Sequence, residues 1–406
     1  MNAARRLALA ALALLATGAG ARTARAQERL LGRRTGETGV IYERWSFSGG
    51  VPRGGASGDS IRIESASQIS VPVTVILPIG SSWTFDAYAA YATGQVRLDR
   101  PDTAEGGSST YRLNGLTDVK LRMVGALRGD NLLLTLGLNA PSGTVGLDRE
   151  QLKALQVLGA PALRFRTPSL GGGVGGTVGL VAAHELAGWA WALGTSYELR
   201  GGYRPIEALV AGSSQPDLDP GDAVHISLGT DGLVGPHRMS LTLSGDLYGK
   251  DRLTFDVGAG DTKSTYTLGP SYGAEWQFQL APGRFRELAL YAVDRYRTQF
   301  KDNEGDKVDG SSGNELDAGA SAVIGRPGRT GVLLGLDGRF HTGLSVDNTI
   351  ATAAMRALGA TAGLSMGAGR LDVRPFVRAQ LGSIKNGGES SSASGLSGGL
   401  TFGTRF

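Results

Sequence analysis

The chain has 406 residues, of which 64 are glycine, about twice the usual share, and none is cysteine. Only 19% are charged, and no apolar run after residue 26 is long enough for a membrane helix, so the composition argues against several soluble domains and against helical spans. The formal charge of +4 does not point to nucleic acid, because Arg5, Arg6, Arg22 and Arg25 lie in a removable leader and the remainder balances 37 basic against 37 acidic residues.

Residues 1–26 have the pattern of a cleaved signal peptide. Arg5 and Arg6 precede an unbroken Leu/Ala run from Leu7 to Ala16, and Ala24-Arg25-Ala26 offers an A-x-A cleavage site before Gln27. Export is the consequence, and without cysteine no disulfide framework stabilises the exported chain. Residues 27–406 are expected to form one domain.

From there the dominant period is two. In 61–77 the odd positions are mostly apolar (Ile61, Ile63, Ile69, Val71, Val73, Val75, Leu77) and the even ones mostly polar. The same alternation returns in 264–280 with Tyr266, Leu268, Tyr272, Trp276, Phe278 and Leu280. Both runs exceed an ordinary soluble strand and suit a tilted strand crossing a bilayer.

Strands are predicted at 38–48, 59–77, 83–98, 111–127, 132–140, 171–184, 189–200, 223–234, 239–250, 264–280, 285–299, 314–325, 330–341, 353–366, 371–382 and 395–406. That is sixteen, with fourteen as the alternative if 38–48 and 132–140 are discounted. The connections alternate. Short turns fall at 78–82, 128–131, 185–188, 235–238, 281–284, 326–329 and 367–370, and longer Gly/Ser/Asp-rich stretches lie between them. Such alternation is expected of an all-β, transmembrane, antiparallel up-and-down barrel, whose closure leaves no backbone group unpaired in hydrocarbon. Trp83, Trp189, Phe285, Trp276 and Phe278 cluster at the short turns, and Tyr111, Tyr248, Tyr266 and Phe340 at the other strand ends, as two interfacial belts would require.

The longest connection, 141–170, holds the one helical signal. Asp148 to Leu158 has good helix formers and an acidic first turn, and Leu152 and Leu155 share a face with Leu158 beside them. This helix either narrows the barrel mouth or caps it from outside. Further along, the inward phase of three consecutive strands carries Arg295 and Arg297, then Glu315 and Asp317, then Asp337, Arg339 and His341. Facing lipid, such charges would cost about 2–4 kcal/mol each near the midplane, so a lumen-lining charge cluster is expected.

The chain ends in an alternating strand closed by Phe402, Thr404 and Phe406. This resembles the C-terminal signature that the barrel-assembly machinery reads in bacterial outer-membrane barrels. Gly115-Leu116-Thr117-Asp118 and Leu136-Gly137-Leu138-Asn139-Ala140-Pro141-Ser142-Gly143 resemble two elements of outer-membrane proteins linked to meta-pathway phenol degradation, themselves akin to FadL-type channels for hydrophobic compounds. Thr117 stands where that group has Gly, and no Asn-Pro-Ala lies near the mature N-terminus.

Enzyme chemistry finds little footing. His184, His225, His237 and His341 form no metal-ligand spacing, and no Ser is placed beside His184, the one His on an outward phase. The run Gly171 to Gly176 contains Gly-x-Gly-x-x-Gly but opens no helix. No catalytic residue, metal or cofactor is expected. The expected function is passive diffusion of small solutes through the outer membrane, selected by pore width and lumen charge. FadL-type uptake of hydrophobic compounds, a barrel lipid hydrolase and a non-conducting structural barrel are the alternatives. Expected partners are outer-membrane lipid and lipopolysaccharide, the barrel-assembly machinery at Phe406, and small-molecule solutes, with no nucleic acid.

Overall fold

The computed structural model describes residues 35–52, 61–100, 107–127, 131–207, 215–256, 261–280, 285–325, 330–343, 353–386 and 388–405. The expected leader, the turns 281–284 and 326–329, most of the turn 128–131, and Phe406 lie outside the described residues.

Three long strands open the chain: β1 (Thr35–Pro52), β2 (Arg62–Ile79) and β3 (Trp83–Arg100). Next come β4 (Gly107–Leu116), β5 (Val119–Ala126) and β6 (Leu132–Ala140), then helix α1 (Arg149–Leu158), β7 (Gly175–Leu186) and β8 (Trp189–Arg200). The middle holds β9 (Asp217–Asp219), β10 (Ala223–Val234), β11 (His237–Tyr248), β12 (Lys250–Asp256) and β13 (Asp261–Thr267). The last part runs through β14 (Ser271–Leu280), β15 (Phe285–Arg297), β16 (Gly313–Ile324) and β17 (Gly331–His341). It ends with β18 (Ala354–Ala368), β19 (Leu371–Asn386) and β20 (Glu389–Arg405).

Seventeen of these strands form one antiparallel sheet. β4 and β5 both pair with β3 and make a single interrupted stave, so the wall has sixteen staves. β1 pairs with β2 on one side and with β20 on the other, which closes the barrel. The first predicted strand, 38–48, is thus the closing stave and runs further at both ends. Those at 132–140, 189–200 and 223–234 match β6, β8 and β10 residue for residue.

Two predicted strands are corrected. The run 264–280 is not one strand. It breaks at 268–270, where Pro270 has no N–H for a ladder, and its outer half, β13, joins β12 and β9 in a separate small sheet. There the buried Asp251 accepts from the Gly221 N–H at 2.7 Å, and burial pushes its carboxyl pKa up. The run 111–127 breaks at Thr117-Asp118. Thr117 hydroxyl accepts from the Ala90 N–H at 2.9 Å, and the Asp118 N–H turns away to the Leu170 carbonyl at 3.0 Å. The inward phase then shifts from odd residues in β4 to even residues in β5, as an inserted bulge requires.

The register assigns each side chain to a face. Exposed Leu336, Leu358, Leu381, Val377, Ile226 and Leu138 all lie on the outward phase of their strands. The opposite phase carries Ser227, Ser244, Glu275, Gln277, Gln279 and Ser321. The aromatic belts are borne out in part. Trp83, Trp189, Trp276 and Phe278 take the outward phase at the short-turn end, and Phe340 does so at the other. Tyr111 points inward and is 7% exposed, Tyr248 faces inward under Arg297, and Tyr266 belongs to the small outer sheet. The side chain of Phe285 lies outside the described residues.

The two rims differ as the connection lengths require, except that β19 runs to Asn386 and β20 begins at Glu389, where the sequence predicts a longer connection. The turn at 80–82 is tight, whereas 298–312 is a long excursion between β15 and β16. A cysteine replacing the exposed Glu304 is expected to react with a membrane-impermeant maleimide on intact cells, and one replacing the exposed Ser81 is not. The reverse labelling would invert the barrel.

Candidate functional site

The connection between β6 and β7 does not cap the barrel from outside. It turns into the lumen and runs across it. Asp148 caps α1, accepting from the N–H groups of Glu150 and Gln151 at 2.8 Å each, while the Gln151 side chain accepts from the Asp148 N–H at 3.1 Å. This reciprocal capping box starts the helix and Gly159 ends it. Its buried stripe is Ala154, Val157 and Leu158, at i, i+3 and i+4. Of the residues predicted for this face, Leu158 is fully buried, Leu155 packs against the core from its edge, and Leu152 is half-buried.

The helix docks on the inner faces of β2, β3 and β4. Together with Leu163, Phe165 and Leu170 it builds a core against Trp45, Val96, Leu98, Leu113, Met355 and Ile384. Glycine sets the distance of approach. A Cβ on Gly94 would sit 2.5 Å from Leu158 Cδ1, and one on Gly115 would collide with Thr144. Some glycines of the wall are therefore seats for the loop.

Polar contacts fix the loop after the helix. Trp45 Nε1 donates to the Leu163 carbonyl at 3.0 Å. The buried Gln68 donates to the Thr167 carbonyl at 2.7 Å and accepts from the Thr167 N–H at 2.9 Å. Glu43 accepts from the Arg166 N–H at 2.9 Å. Arg164 pairs with Asp317, which also accepts from Arg339 at 3.3 Å. β6, where the loop starts, is the fifth stave, and β17, which carries Arg339, is the thirteenth of sixteen. That is half a turn around the barrel, so the loop spans the lumen from wall to wall.

The loop's two ends are tied at one residue. Asp118, at the break between β4 and β5, is 4% exposed and accepts three hydrogen bonds. They come from the Gly143 N–H at 2.8 Å, the Gly172 N–H at 2.7 Å and Asn139 Nδ2 at 2.9 Å. Gly143 begins the excursion and Gly172 closes it.

The predicted charge cluster sits on the inward phase of β15, β16 and β17. Asp317 stands opposite Arg339, and Glu315 opposite His341. Across the other seam Glu315 faces Arg295, whereas Arg297 faces Gly313. Arg295 pairs with Glu275 at 3.1 Å, and Asp337 accepts from Arg378 Nε at 3.1 Å. Arg297 lies 5.8 Å from the centre of the Tyr248 ring. His341 is 2% exposed, 3.8 Å from Glu315.

Sequence reasoning missed Glu43, Gln68, Asp118, Arg164 and Arg378. A signal for Arg164 existed. Leu163-Arg164-Phe165-Arg166-Thr167 alternates, with Leu163, Phe165 and Thr167 buried while Arg166 is exposed and Arg164 half-buried. No comparable signal marks Gln68 or Glu43, whose partners lie 99 and 123 residues away.

On the other side of the loop a cavity of about 750 Å³ remains between residues 166–174 and the wall from β5 to β10. Lys120, Arg122, Glu198, Arg200 and His225 line it with Asn139, Ser196 and Ser227. His225 bridges Asp246 at 2.7 Å and Glu198 at 3.1 Å, and Arg122 pairs with Asp86 at 2.7 Å.

No protein-family model matches the chain, and no curated protein matches it. Among solved structures it is similar to the TodX monoaromatic hydrocarbon channel carrying a deltaS2S3 mutation, at 9% identity over 92% of this chain and 91% of that one, with a TM-score of 0.44. It is also similar to OprB of Pseudomonas putida, at 12% identity over 92% and 94%, with a TM-score of 0.40. An outer-membrane channel from Pseudomonas putida F1 is similar at 12% identity over 95% and 100%, with a TM-score of 0.35.

Replacing Asp118 by Ala removes the shared acceptor of both loop ends. Each orphaned buried donor costs about 1–3 kcal/mol, so Asp118→Ala is expected to release the loop before the barrel unfolds. Limited proteolysis should then cut within 141–172 while the heat-resistant gel band of the folded barrel persists. Asp118→Asn, which keeps one acceptor oxygen, should be cut more slowly.

Proposed function

We propose that this protein is an outer-membrane channel through which small polar solutes diffuse passively past a loop that narrows the lumen. The observation that carries the reading is the polarity of the wall. Away from the packed core beneath the loop, large apolar side chains occupy the outward phase and polar ones the inward phase, the inverse of a water-soluble barrel. The outer phase suits hydrocarbon and the inner phase suits water. Selection then rests on width and charge beside the loop, without covalent chemistry. Within that reading Asp317 and Arg339 of the charge cluster hold the loop against the far wall, since Asp317 pairs with Arg164 and Arg339 reaches both Asp317 and, at 3.5 Å, the Leu163 carbonyl.

A second reading has one observation in its favour. The wall is interrupted at Thr117-Asp118, close to the apolar core under the loop, and a gap there would suit a hydrophobic compound moving sideways into the membrane. The two readings separate in a planar bilayer. A polar channel gives defined single-channel steps, and a hydrophobic route gives none.

Deletion of 149–158 is expected to raise the single-channel conductance, because it removes the helix and its packing from the lumen while leaving the β1–β20 closure untouched. Unchanged conductance would mean that current does not pass the loop.

A further inference from the structure

The charges around the loop are distributed unevenly. On the side of β15–β19 most inward arginines have carboxylate partners: Arg164 and Arg339 share Asp317, Arg295 has Glu275 and Arg378 has Asp337, with Arg297, over the Tyr248 ring, the exception. The cavity on the opposite side is different. Its lining has four basic side chains, Lys120, Arg122, Arg166 and Arg200, against two acidic ones, Asp118 and Glu198. Both acids are occupied. Asp118 is buried under three N–H donors, and Glu198 lies against His225. Of the basic residues only Arg122 has a carboxylate partner. Among the described residues Lys120, Arg166 and Arg200 form no ion pair, and Lys120 and Arg166 are exposed to the lumen.

The register places these cations as a gate. Lys120 stands opposite Asn139, Asn139 opposite Gly175, and Gly175 opposite Arg200. One transverse row thus carries a cation at each end, three inter-strand steps or roughly 14 Å apart, with small side chains between. Arg166 is supplied from the loop, held there by the Glu43 and Gln68 bonds to its own and the next backbone N–H.

We propose that this passage selects small anions, and that solutes bearing carboxylate or phosphate groups are its substrates, with Lys120, Arg166 and Arg200 as the selecting residues. Three unpaired cations around a narrow aqueous gap raise the local concentration of anions and exclude cations. Two of them are guanidinium groups, whose forked donors match the oxygens of a carboxylate or phosphate. The proposal rests on the channel function proposed for this barrel and adds the sign of the solute to it.

The test uses the full chain in planar bilayers under a potassium chloride gradient. The wild-type reversal potential is expected to show chloride preference. Changing Lys120→Gln, Arg166→Gln and Arg200→Gln together should lower the chloride-to-potassium permeability ratio by about twofold per charge, the effect on that ratio of a unit charge some 8 Å away in water screened by about 0.1 M salt. Inorganic phosphate should reduce chloride current through the wild type and leave the triple variant unaffected. The pair Arg252→Gln with Asp219→Asn removes an equal and opposite pair in the separate small sheet and should leave the ratio unchanged. If the triple variant lacks the heat-resistant band of a folded barrel, Lys120→Glu serves instead, with the same direction expected. A wild-type pore that prefers potassium or neither ion, or a ratio that the variants do not move, overturns the anion assignment and leaves the channel standing. The absence of any current overturns the channel reading itself.

Discussion

The closed hydrogen-bond ladder is the constraint on which everything else depends. A strand in hydrocarbon has no water to satisfy its N–H and C=O groups, so the sheet must end on itself. Here the seam is β1 with β20, from Thr35 opposite Arg405 to Phe47 opposite Ala393. Once closed, the period-two alternation becomes a radial sorting of chemistry. Leu396 and Leu400 on β20 face out, while Ser397 beside them faces Glu43 across the seam on the inward phase.

The lumen is then filled from within by the chain itself. A sixteen-stave barrel is wide, and the β6–β7 connection crosses it, leaving a cavity on the side of β5–β10. Apolar packing under α1 holds the helix to the wall, and Leu163, Phe165 and Leu170 continue that core along residues 160–172. The polar bonds of Trp45, Gln68 and Glu43, and the shared pairing at Asp317, set the course of that segment, because each has directional geometry and those of Trp45 and Gln68 are shielded from competing water. Asp118 links this inner structure to the wall: one buried carboxylate interrupts a stave and gathers both ends of the loop. The break in the wall and the loop in the lumen are therefore one feature.

Much of this architecture is legible in the sequence. The sixteen strands, the alternation of turn and loop, and the inward charges of β15, β16 and β17 come from local patterns, since a strand's face is set by residues two apart. Bulges limit that reasoning. Counting through Thr117-Asp118 without the inserted residue misassigns faces on one side of it, and counting through Pro270 merges β13 with β14 although they belong to different sheets. Assigning aromatics by nearness to a strand end, without the phase, puts Tyr111 and Tyr248 among belt aromatics although their rings face inward.

The sequence by itself determined a barrel with an apolar outside, a polar inside and a helix in its longest connection, because alternation, turn chemistry and capping are local. Only the tertiary structure decided that this connection enters the lumen, which wall it leans on, and which cations are left unpaired beside it. Those outcomes depend on pairs such as Arg164 with Asp317 and Gln68 with Thr167, whose members are far apart in the chain. An apolar stripe such as Ala154, Val157 and Leu158 states that something covers it. The covering surface is fixed only when closure brings β2, β3 and β4 around the helix.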